Sequence, residues 1–473
     1  MIADLKPYPV MRDSGVVWLG EVPKGWDVLR GRQLFEIKKR ISGELGHPVI
    51  SVTQEGLRVK DVESGEGQLS QDYSKYQSVE VGEFAMNSMD LLTGGVGIAT
   101  SPGVTSPDYR VFSIRDKSGS CDRYMLHALR MLYRNRGFYS WGQGSAQLGR
   151  WRLPRRRFND FPFPVPSFTE QAAIARFLDW ANGRLERTIR AKRKVIALLN
   201  EQKQAIIHRA VTRGLDSSVP LKPSGVPWLG GIPQHWEVRR LRAAVTDCVN
   251  GIWGGEPDGE FDLTCVRVAD FDRQNLCVSL SRRTTRSIPI SARTRRLLRR
   301  GDLLLEKSGG GERQPVGAVV LYDLDEPAVC SNFVARMPVA AGYHSEYVNY
   351  LHSALYANRI NVPSIKQTTG IQNLDGKSYL SERVAFPDCA EQRAIALFLD
   401  GESIRFAETF SRLEREIELL REYRARLVAD LVTGKLDVRE AAGRLPDEAL
   451  LDTAAADTDL SDEMDAADEE AVG

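Results

Sequence analysis

The sequence patterns nearest to catalytic or nucleotide-binding motifs each lack a required part. Residues 370–378, GIQNLDGKS, have five residues between the two glycines, whereas a phosphate-binding loop has four. Pro107-Asp108 could begin a metal-dependent nuclease motif, but the next Glu-x-Lys triplet, Glu201-Gln202-Lys203, falls in a helical segment. The sequence has no Pro-Pro-aromatic run, no G-x-G-x-x-G and no G-x-S-x-G. We therefore predict that the chain is not an enzyme.

Metal and cofactor chemistry is not predicted either. The 6 cysteines and 6 histidines are scattered, with no pair at the spacing of a zinc site. No apolar run reaches the ~20 residues that span a bilayer, and the first residues lack the pattern of a signal peptide. We expect a cytoplasmic protein without a membrane contact, and no cofactor bound by this chain.

The net charge of +1 conceals an uneven distribution along the 473 residues. The segment from residue 445 onward has eleven acidic and no basic residues, so residues 1–444 carry +12. A positive body can attract a polyanion, although a charge of this size is common among proteins of this length. Charge alone does not identify a partner.

The elements that would position a binding site occur twice. Residues 14–35 and 224–245 are identical at eleven of 22 positions, including Trp18/Trp228 and Trp26/Trp236. Residues 170–216 and 391–437 align without a gap, with 18 of 47 positions identical. The stretches between these blocks share little identity. This pattern indicates two different modules on one repeated framework.

The second repeated block predicts a long helix in each copy. Residues 167–170 and 388–391 have the spacing of a capping box at a helix start. Apolar residues then recur every 3.5 positions on average, which is typical of a coiled-coil seam. The seam residues are Leu185, Ile189, Ile196, Leu199 and Ile206 in the first copy, and Phe406, Phe410, Leu413, Ile417, Leu420, Leu427 and Leu431 in the second. Lys203 and Arg424 interrupt the seam at equivalent positions, either to set its register or with their charged ends in water.

The variable segments predict mixed α/β modules. Strand-like runs occur at 47–53, 96–100, 109–114, 263–268, 303–305 and 316–322, and helices are predicted near 122–135 and 346–361. The acidic, alanine-rich residues after about 438 are predicted to be disordered.

The repeated SGVxWLGxxPxxWxV opening, the EQxxIxxFLD helix start and the TGKLD-type ending resemble the framework of Type I restriction–modification specificity subunits. QTTGIQNLD at 367–375 is also typical of that family. The resemblance covers about residues 14–437, and all its motifs occur twice and in order, apart from the 367–375 segment.

This resemblance implies an α+β fold: two mixed α/β target-recognition domains joined by two long antiparallel coiled-coil helices, with a pseudo-twofold internal repeat. The boundaries are 1–165 for the first recognition domain with its framework segment, 166–216 for the first helix, 217–384 for the second domain, 385–437 for the second helix and 438–473 for the tail. The implied partners are double-stranded DNA, two methyltransferase subunits that bring S-adenosylmethionine, and motor-nuclease subunits that use ATP and Mg²⁺. The bipartite target would be methylated at adenine N6.

Candidate DNA contacts follow from the side chains that bind base edges and phosphates. In the first module they are Thr53, Gln54, Asn87, Gln143, Ser145, Gln147, Arg150 and Arg152. In the second they are Lys307, Ser308, Arg313, Lys366, Gln367, Thr368, Gln372 and Asn373. Any of these can instead be an ordinary polar loop residue.

Two other functions remain open at this stage. A coiled-coil protein-interaction scaffold would explain the seam, but not two divergent inserts behind a repeated framework. The recognition subunit of another methylation-based defence system would have the same sequence features, since the difference lies in its partners.

Overall fold

The computed structural model describes residues 5–61, 72–145, 150–311, 314–368 and 370–445. The chain forms two compact units, the first built from two separate stretches of sequence and the second from one. Unit 1 consists of the described parts of Met1–Arg190 and Ile417–Gly473, and unit 2 is Ala191–Glu416. Both long helices, Phe168–Arg213 and Cys389–Val432, contribute residues to both units.

Unit 1 is a small mixed α/β body. Its strands are Met11–Asp13, Glu21–Pro23, Asp27–Arg30, Phe35–Lys38, Ile50–Val52, Leu57–Val59, Gln77–Val79, Phe84–Met86, Val96–Ile98, Gly103–Thr105, Arg110–Ile114, Gln143–Ser145, Arg150–Arg152 and Pro162–Val165. Its further helices are Gly31–Leu34, Asp122–Arg134, Tyr139–Trp141 (3₁₀), Arg155–Asp160 and Arg439–Gly443.

The core of unit 1 lies between a sheet and a helix. Its four-stranded antiparallel sheet has the order Phe35–Lys38, Arg110–Ile114, Phe84–Met86, Val96–Ile98. Phenylalanines from these strands pack with Phe158 and Phe163, and the helix Asp122–Arg134 covers them with its buried face. Aromatic burial of this kind is the main driving force for a module of this size.

Unit 2 contains a larger sheet. Its strands are Leu221–Pro223, Gly231–Pro233, Glu237–Arg240, Val249–Asn250, Asp262–Val266, Phe271–Asp272, Cys277–Val278, Thr285–Ser287, Asp302–Glu306, Ser308–Gly309, Val319–Tyr322, Ala328–Cys330, Val334–Met337, Ile365–Thr368, Ile371–Leu374 and Arg383–Phe386. Its further helices are Leu241–Ala244 (3₁₀), Val268–Asp270 (3₁₀), Ile290–Arg293, Ser345–Ala357, Val362–Ser364 (3₁₀) and Gly376–Tyr379.

The two units share one element order through their variable segments. Four strands of the larger sheet in unit 2 lie side by side in the same order along the chain as those of the unit 1 sheet: the first strand pairs with the fourth, the fourth with the second, and the second with the third. In unit 2 these neighbours are Val249–Asn250, Val334–Met337, Asp302–Glu306 and Val319–Tyr322. In both units a 13-residue helix, a 3₁₀ turn, a hairpin, a short helix and a strand then follow. The internal repeat therefore extends into segments that share little sequence identity.

The mixed α/β composition agrees with the sequence prediction, and the elements fall close to where they were expected. The strand predicted at 109–114 spans Arg110–Ile114, and the helices predicted near 122–135 and 346–361 span Asp122–Arg134 and Ser345–Ala357. None of the helices in the described ranges is both long and apolar enough to cross a membrane.

The predicted start of a disordered tail at 438 is wrong for its first eight residues. Arg439–Gly443 is a helix, and Val438, Ala442 and Leu445 are buried in the core of unit 1. The guanidinium of Arg176 donates to the carbonyl oxygen of Leu445 (3.1 Å). Residues 438–445 contain two arginines and one glutamate, so the acidic composition begins only after them, and their three buried apolar side chains hold this segment in the core. Residues 446–473 lie outside the described part of the chain.

Two glycines allow a test of how the second long helix joins the framework. Gly434 has φ +74°, and a Cβ there would lie 2.3 Å from Cδ of Pro23 and 3.1 Å from the Trp26 ring. We expect Gly434→Ala to lower the free energy of unfolding by about 2–4 kcal/mol, from overpacking and left-handed strain. Gly183→Ala, in open space inside the first long helix, should instead raise it by about 0.5–1 kcal/mol. Chemical denaturation measures both, and equal effects of the two variants would contradict this account.

Candidate nucleic-acid interface

The repeated Glu-Gln pair at each helix start joins the helix to the rest of its unit. The backbone N–H of Glu170 donates to Ser167 Oγ (3.4 Å), and that of Glu391 donates to Asp388 Oδ1 (2.8 Å), so the N-cap half of each predicted capping box forms. The glutamate carboxylates bind elsewhere. Glu170 accepts from the indole of Trp26 (3.1 Å) and the hydroxyl of Tyr8 (2.5 Å), and Glu391 contacts His235 (2.7 Å).

The neighbouring glutamines fix the variable segments to the same helix starts. The side chain of Gln171 is buried, and its Oε1 accepts from the backbone N–H of Cys121 (2.8 Å). Cys121 is the N-cap residue of the helix Asp122–Arg134. Gln392 accepts in the same way from the N–H of His344 (3.0 Å), which caps Ser345–Ala357. One repeated dipeptide thus positions the main helix of each module relative to the framework.

The seam residues predicted for the two long helices are all buried or half-buried. The buried residues are Leu185, Ile189, Phe406, Phe410, Leu413, Ile417, Leu427 and Leu431. The half-buried residues are Ile196, Leu199, Ile206 and Leu420. The adjacent Val195, Leu198 and Leu419 are exposed. This contrast defines one apolar face on each helix.

Ion pairs fix the direction in which the helix segments pair. In unit 1, Arg424 Nη1 donates to Glu186 Oε2 (2.7 Å), and the helix start near Phe177 shares a core with Leu431. In unit 2, Lys192 pairs with Glu416, and Val211 shares a core with Ile395. Within each unit, the residue numbers on the first long helix rise from one contact to the next while those on the second long helix fall. The paired segments are therefore antiparallel.

The two charges that interrupt the seam do not end in water. Arg424 makes the ion pair with Glu186, whereas Lys203 is only 5 % exposed and its Nζ donates to the carbonyl oxygen of Gln274 (2.6 Å). Burial lowers the pKa of Lys203. Lys203 therefore ties the first long helix to the variable segment of unit 2, which neither sequence interpretation anticipated.

The candidate residues of unit 1 lie on one loop, one hairpin and one turn. We call residues 87–95, between the strands Phe84–Met86 and Val96–Ile98, loop 1, and the paired strands Gln143–Ser145 and Arg150–Arg152 hairpin 1. The N–H of Leu153 donates to the carbonyl of Ser88 (2.9 Å), and that of Leu91 donates to the carbonyl of Trp151 (3.0 Å). Hairpin 1 therefore runs along loop 1.

The turn at 53–56 contacts the last residues of loop 1. The amide of Gln54 donates to the carbonyl of Thr93 (3.2 Å), and a Cβ at Gly95 would lie 2.0 Å from the carbonyl oxygen of Thr53. Thr53 and Asn87 are half-buried, and their side chains bond to the backbone of their own turns. The structure thus brings the turn, loop 1 and hairpin 1 into one surface, with Gln54 and Gln143 exposed.

The candidates of unit 2 occupy the equivalent elements. Loop 2 is the described residues 307–311 and 314–317, between the strands Asp302–Glu306 and Val319–Tyr322, and hairpin 2 is the paired strands Ile365–Thr368 and Ile371–Leu374. The N–H of Leu374 donates to the carbonyl of Lys307 (2.8 Å), as that of Leu153 does to Ser88 in unit 1. The two candidate sets therefore lie on matching surfaces of the two units.

A polar row crosses three strands of unit 2. Lys366 pairs in register with Asn373, which pairs with Ser308, and Ser308 Oγ donates to Asn373 Oδ1 (2.6 Å). Lys366 Nζ reaches Asp375 (2.7 Å) and Lys307 Nζ reaches Asn250 (2.7 Å). Gln367 and Asn373 are exposed.

Gln372 differs from its neighbours because strand alternation turns it inward. It is buried, its amide nitrogen donates to the carbonyl of Gly311 (3.3 Å), and its oxygen accepts from the N–H of Val316 (3.2 Å). Gln372 holds loop 2, and a direct base contact from it would require that loop to open. Gln147 and Arg313 lie outside the described residues, and the side chains of Ser145, Arg150 and Thr368 are not described.

Sequence reasoning missed the tyrosines that fasten the helix ends to these loops. The hydroxyl of Tyr133 donates to the carbonyl of Asn87 in loop 1 (2.6 Å), and that of Tyr356 donates to the carbonyl of Pro315 in loop 2 (2.8 Å). The signal in the sequence was a short repeat, Tyr-x-Asn-Arg, at 133–136 and 356–359. No group of three or more His, Cys, Asp or Glu residues within the described ranges could hold a metal ion.

Comparison with known proteins gives a consistent set of similarities. No protein-family model matches the sequence. The chain is 22% identical over 438 residues, 88% of its length and 94% of the other protein, to the Type I restriction enzyme MjaVIII specificity subunit of Methanocaldococcus jannaschii.

A solved structure shows the same fold. It is a chain from the structure that explains complex assembly and conformational transition of the type I R-M system. The match covers 88% of this chain and 99% of that chain, with a TM-score of 0.60 and 15% sequence identity. The chain is thus similar over most of its length to a Type I restriction enzyme specificity subunit, and it shares the fold of this solved structure.

Proposed function

We propose that the chain is the specificity subunit of a cytoplasmic Type I restriction–modification complex and recognises a bipartite target in double-stranded DNA. The observation that carries this proposal is the matching pair of surfaces, loop 1 with hairpin 1 and loop 2 with hairpin 2. Each presents amides, hydroxyls or cations, the groups that distinguish base edges by hydrogen bonding. The two surfaces carry different residues, so the two halves of the target would differ.

The chemistry belongs to partner subunits in this proposal. The chain itself is not an enzyme. Two methyltransferase subunits would bind the framework, bring S-adenosylmethionine and methylate adenine N6 in each half of the target. Motor-nuclease subunits would use ATP and Mg²⁺ to cleave unmethylated DNA. What this chain contributes is sequence recognition and the placement of both catalytic assemblies.

The paired long helices would act as an antiparallel coiled coil that sets the distance between the half-sites. Glu186–Arg424 and Lys192–Glu416 are cross-helix pairs of opposite charge, and a shift by one residue would separate both. The apolar seam also opposes a shift, because a change of register would expose buried leucines and phenylalanines. A fixed register gives a fixed spacing between recognition surfaces.

Mapping N6-methyladenine across the genome tests the proposal. In a strain that lacks this gene, we expect methylation to disappear at one class of split adenine-containing sites and to return when the gene is supplied on a plasmid. A strain that lacks only the partner methyltransferase should lose the same sites, which is the matched control. Unchanged methylation in the deletion strain, with an active partner methyltransferase, would refute the proposal.

A further inference from the structure

Each module helix ends on an arginine in the left-handed conformation. Arg136 has φ 54° and Arg359 has φ 56°, and Leu276 is the one other residue besides glycine with positive φ in the described ranges. The helix ends are complete Schellman motifs. Their backbone bonds are Arg136 N–H to Tyr133 O (3.1 Å), Gly137 N–H to Leu132 O (2.7 Å), Arg359 N–H to Tyr356 O (3.0 Å) and Ile360 N–H to Leu355 O (3.0 Å).

Arginine is an unfavourable residue at this position. The left-handed conformation costs a residue with a Cβ about 1–2 kcal/mol, and glycine avoids that cost. Both long helices of this chain end on glycines in this conformation, Gly214 with φ 71° and Gly434 with φ 74°. A basic side chain favours a helix C-terminus, but Arg134 already occupies the last turn of the first module helix, so this effect does not account for Arg136. The second module helix has no basic residue in its last turn, so Arg359 has this role in addition to any other.

The position of this arginine relative to the candidate surface is the same in both units. Three residues before it, Tyr133 or Tyr356 fastens the helix end to loop 1 or loop 2 through the hydroxyl bonds already described. Both arginine side chains are exposed. Each module thus holds one exposed guanidinium at a fixed place beside its polar loop and hairpin.

The surroundings of Arg136 are suited to an anion. A groove of about 260 Å³ is lined by Arg130, Arg134 and Arg136, together with Gln54 and residues of loop 1, and its lining includes no carboxylate. Burial, and then the neighbouring Arg134, lower the pKa of Arg130, and Asp179 acts in the opposite direction. Burial, and then Arg424, lower the pKa of Arg134, while Glu186 and Glu55 act in the opposite direction. Closely spaced cations of this kind gain free energy when a phosphate comes between them.

We propose that Arg136 and Arg359 each bind a phosphate of the DNA backbone beside the half-site recognised by their own module. The residues on loop 1 and hairpin 1 differ from those on loop 2 and hairpin 2, as two different base sequences require. The arginine is the same in both modules, and the phosphate is the chemical group that both half-sites share. This inference rests on the proposed DNA recognition and adds the residues that bind the backbone.

Salt-dependent binding tests the inference on the purified complex of the chain with its methyltransferase subunits. We would use Arg136→Gly, Arg359→Gly and the double variant, because glycine suits this backbone conformation and should leave the melting temperature unchanged or higher. Each single variant should bind both a cognate and a scrambled duplex more weakly. The slope of log K against log salt concentration should fall by ~0.9 in each single variant and by about twice that in the double variant.

Matched variants separate this role from a general loss of charge. Lys24→Ala removes one exposed cation from the framework and should leave the slope of log K against log salt concentration unchanged. Arg136→Lys keeps the positive charge, so its slope should remain close to that of the unaltered complex. An unchanged slope in Arg136→Gly and Arg359→Gly would overturn the inference, and so would a loss confined to the cognate duplex, which indicates a base contact. Failure of the unaltered complex to prefer its cognate duplex would instead refute the proposed function.

Discussion

Exchanging residues 46–160 for the corresponding segment of another specificity subunit is expected to change one half of the methylated sequence and leave the other half unchanged. The segment carries loop 1, hairpin 1 and the helix Asp122–Arg134, all within unit 1. The framework pair Asp27–Arg30 with Pro162–Val165 stays in place. Under the proposed function, the base contacts would move with the inserted segment, and those of unit 2 would not be altered.

Methylation mapping measures the outcome directly, as the sequence motif shared by all modified adenines. The matched exchange of residues 245–382, which leaves the framework pair Glu237–Arg240 with Arg383–Phe386 in place, should change the other half alone. The spacer between the halves should stay the same in both chimaeras, because the long helices are untouched. A chimaera in which both halves change would contradict independent recognition by the two modules.

The ring contacts of Phe35 at the junction limit which segments can be inserted. The retained strand Phe35–Lys38 pairs with Val111–Ile114 of the exchanged segment through backbone hydrogen bonds, which any sequence can make. The ring of Phe35, however, packs against three rings of the exchanged segment, with centroids 5.0 Å from Phe112, 5.6 Å from Phe158 and 6.2 Å from Phe84. An inserted segment should therefore fold when it has large apolar residues at these three positions, and a polar residue at the position of Phe112 should prevent folding.

The helices were predictable from sequence because the repeat and the seam both mark them. A 3.5-residue recurrence places Ile189 and Phe410 on buried faces whatever the partner is, and both are buried in the structure. The seam by itself leaves the direction of pairing open, since apolar faces can meet in either orientation. That direction depends on which charges meet, and the pairing of Glu186 with Arg424 becomes visible only with coordinates.

The shared element order of the variable segments was not predicted, for a physical reason. Strand pairing uses backbone groups, so equivalent sheets can form from sequences with little identity. Few residues at equivalent positions of the two variable segments are identical. Among them are Tyr133 and Tyr356, with the asparagine and arginine that follow each tyrosine. Glu170 shows the opposite case, since its spacing from Ser167 predicted a capping box while its carboxylate binds Trp26, far away in sequence.

Period-two alternation could not have sorted the candidate interface in advance. In the strand Ile371–Leu374, Gln372 and Leu374 are buried, whereas Asn373 and the apolar Ile371 are exposed. Each face of this strand carries one apolar residue, so the sequence does not show which face is inward. The choice between base and phosphate contacts could not be made in this way. It depends on loop geometry and on the shape of the DNA, and neither follows from residue type.

Phe112→Ala is expected to lower the free energy of unfolding of unit 1 by about 3–5 kcal/mol, the range for a large aromatic residue removed from a packed core. Phe112 is completely buried. Its ring centroid lies 5.0 Å from that of Phe35, 5.1 Å from that of Phe84 and 5.2 Å from that of Phe158. Removal of the ring leaves a cavity among three aromatic neighbours, which cannot all move into it.

Denaturant unfolding followed by circular dichroism measures this loss. Phe168→Ala removes the same ring from a position that is 44 % exposed, so it should change the stability by less than about 0.5 kcal/mol. Phe112→Leu, which retains most of the volume, should cost less than Phe112→Ala. A change below about 1 kcal/mol in Phe112→Ala would contradict the account of this core.

The same variant connects the core to recognition. The strand of Phe112 pairs with Phe84–Met86, and loop 1 begins at the next residue, Asn87. A weakened core should therefore release loop 1 as the temperature rises, and methylation should fail at high growth temperature and recover at low temperature. Replacement of an exposed candidate residue such as Gln143 leaves the core intact, so its effect on methylation should be the same at both temperatures. Temperature dependence thus separates residues that hold the interface in place from residues that touch DNA.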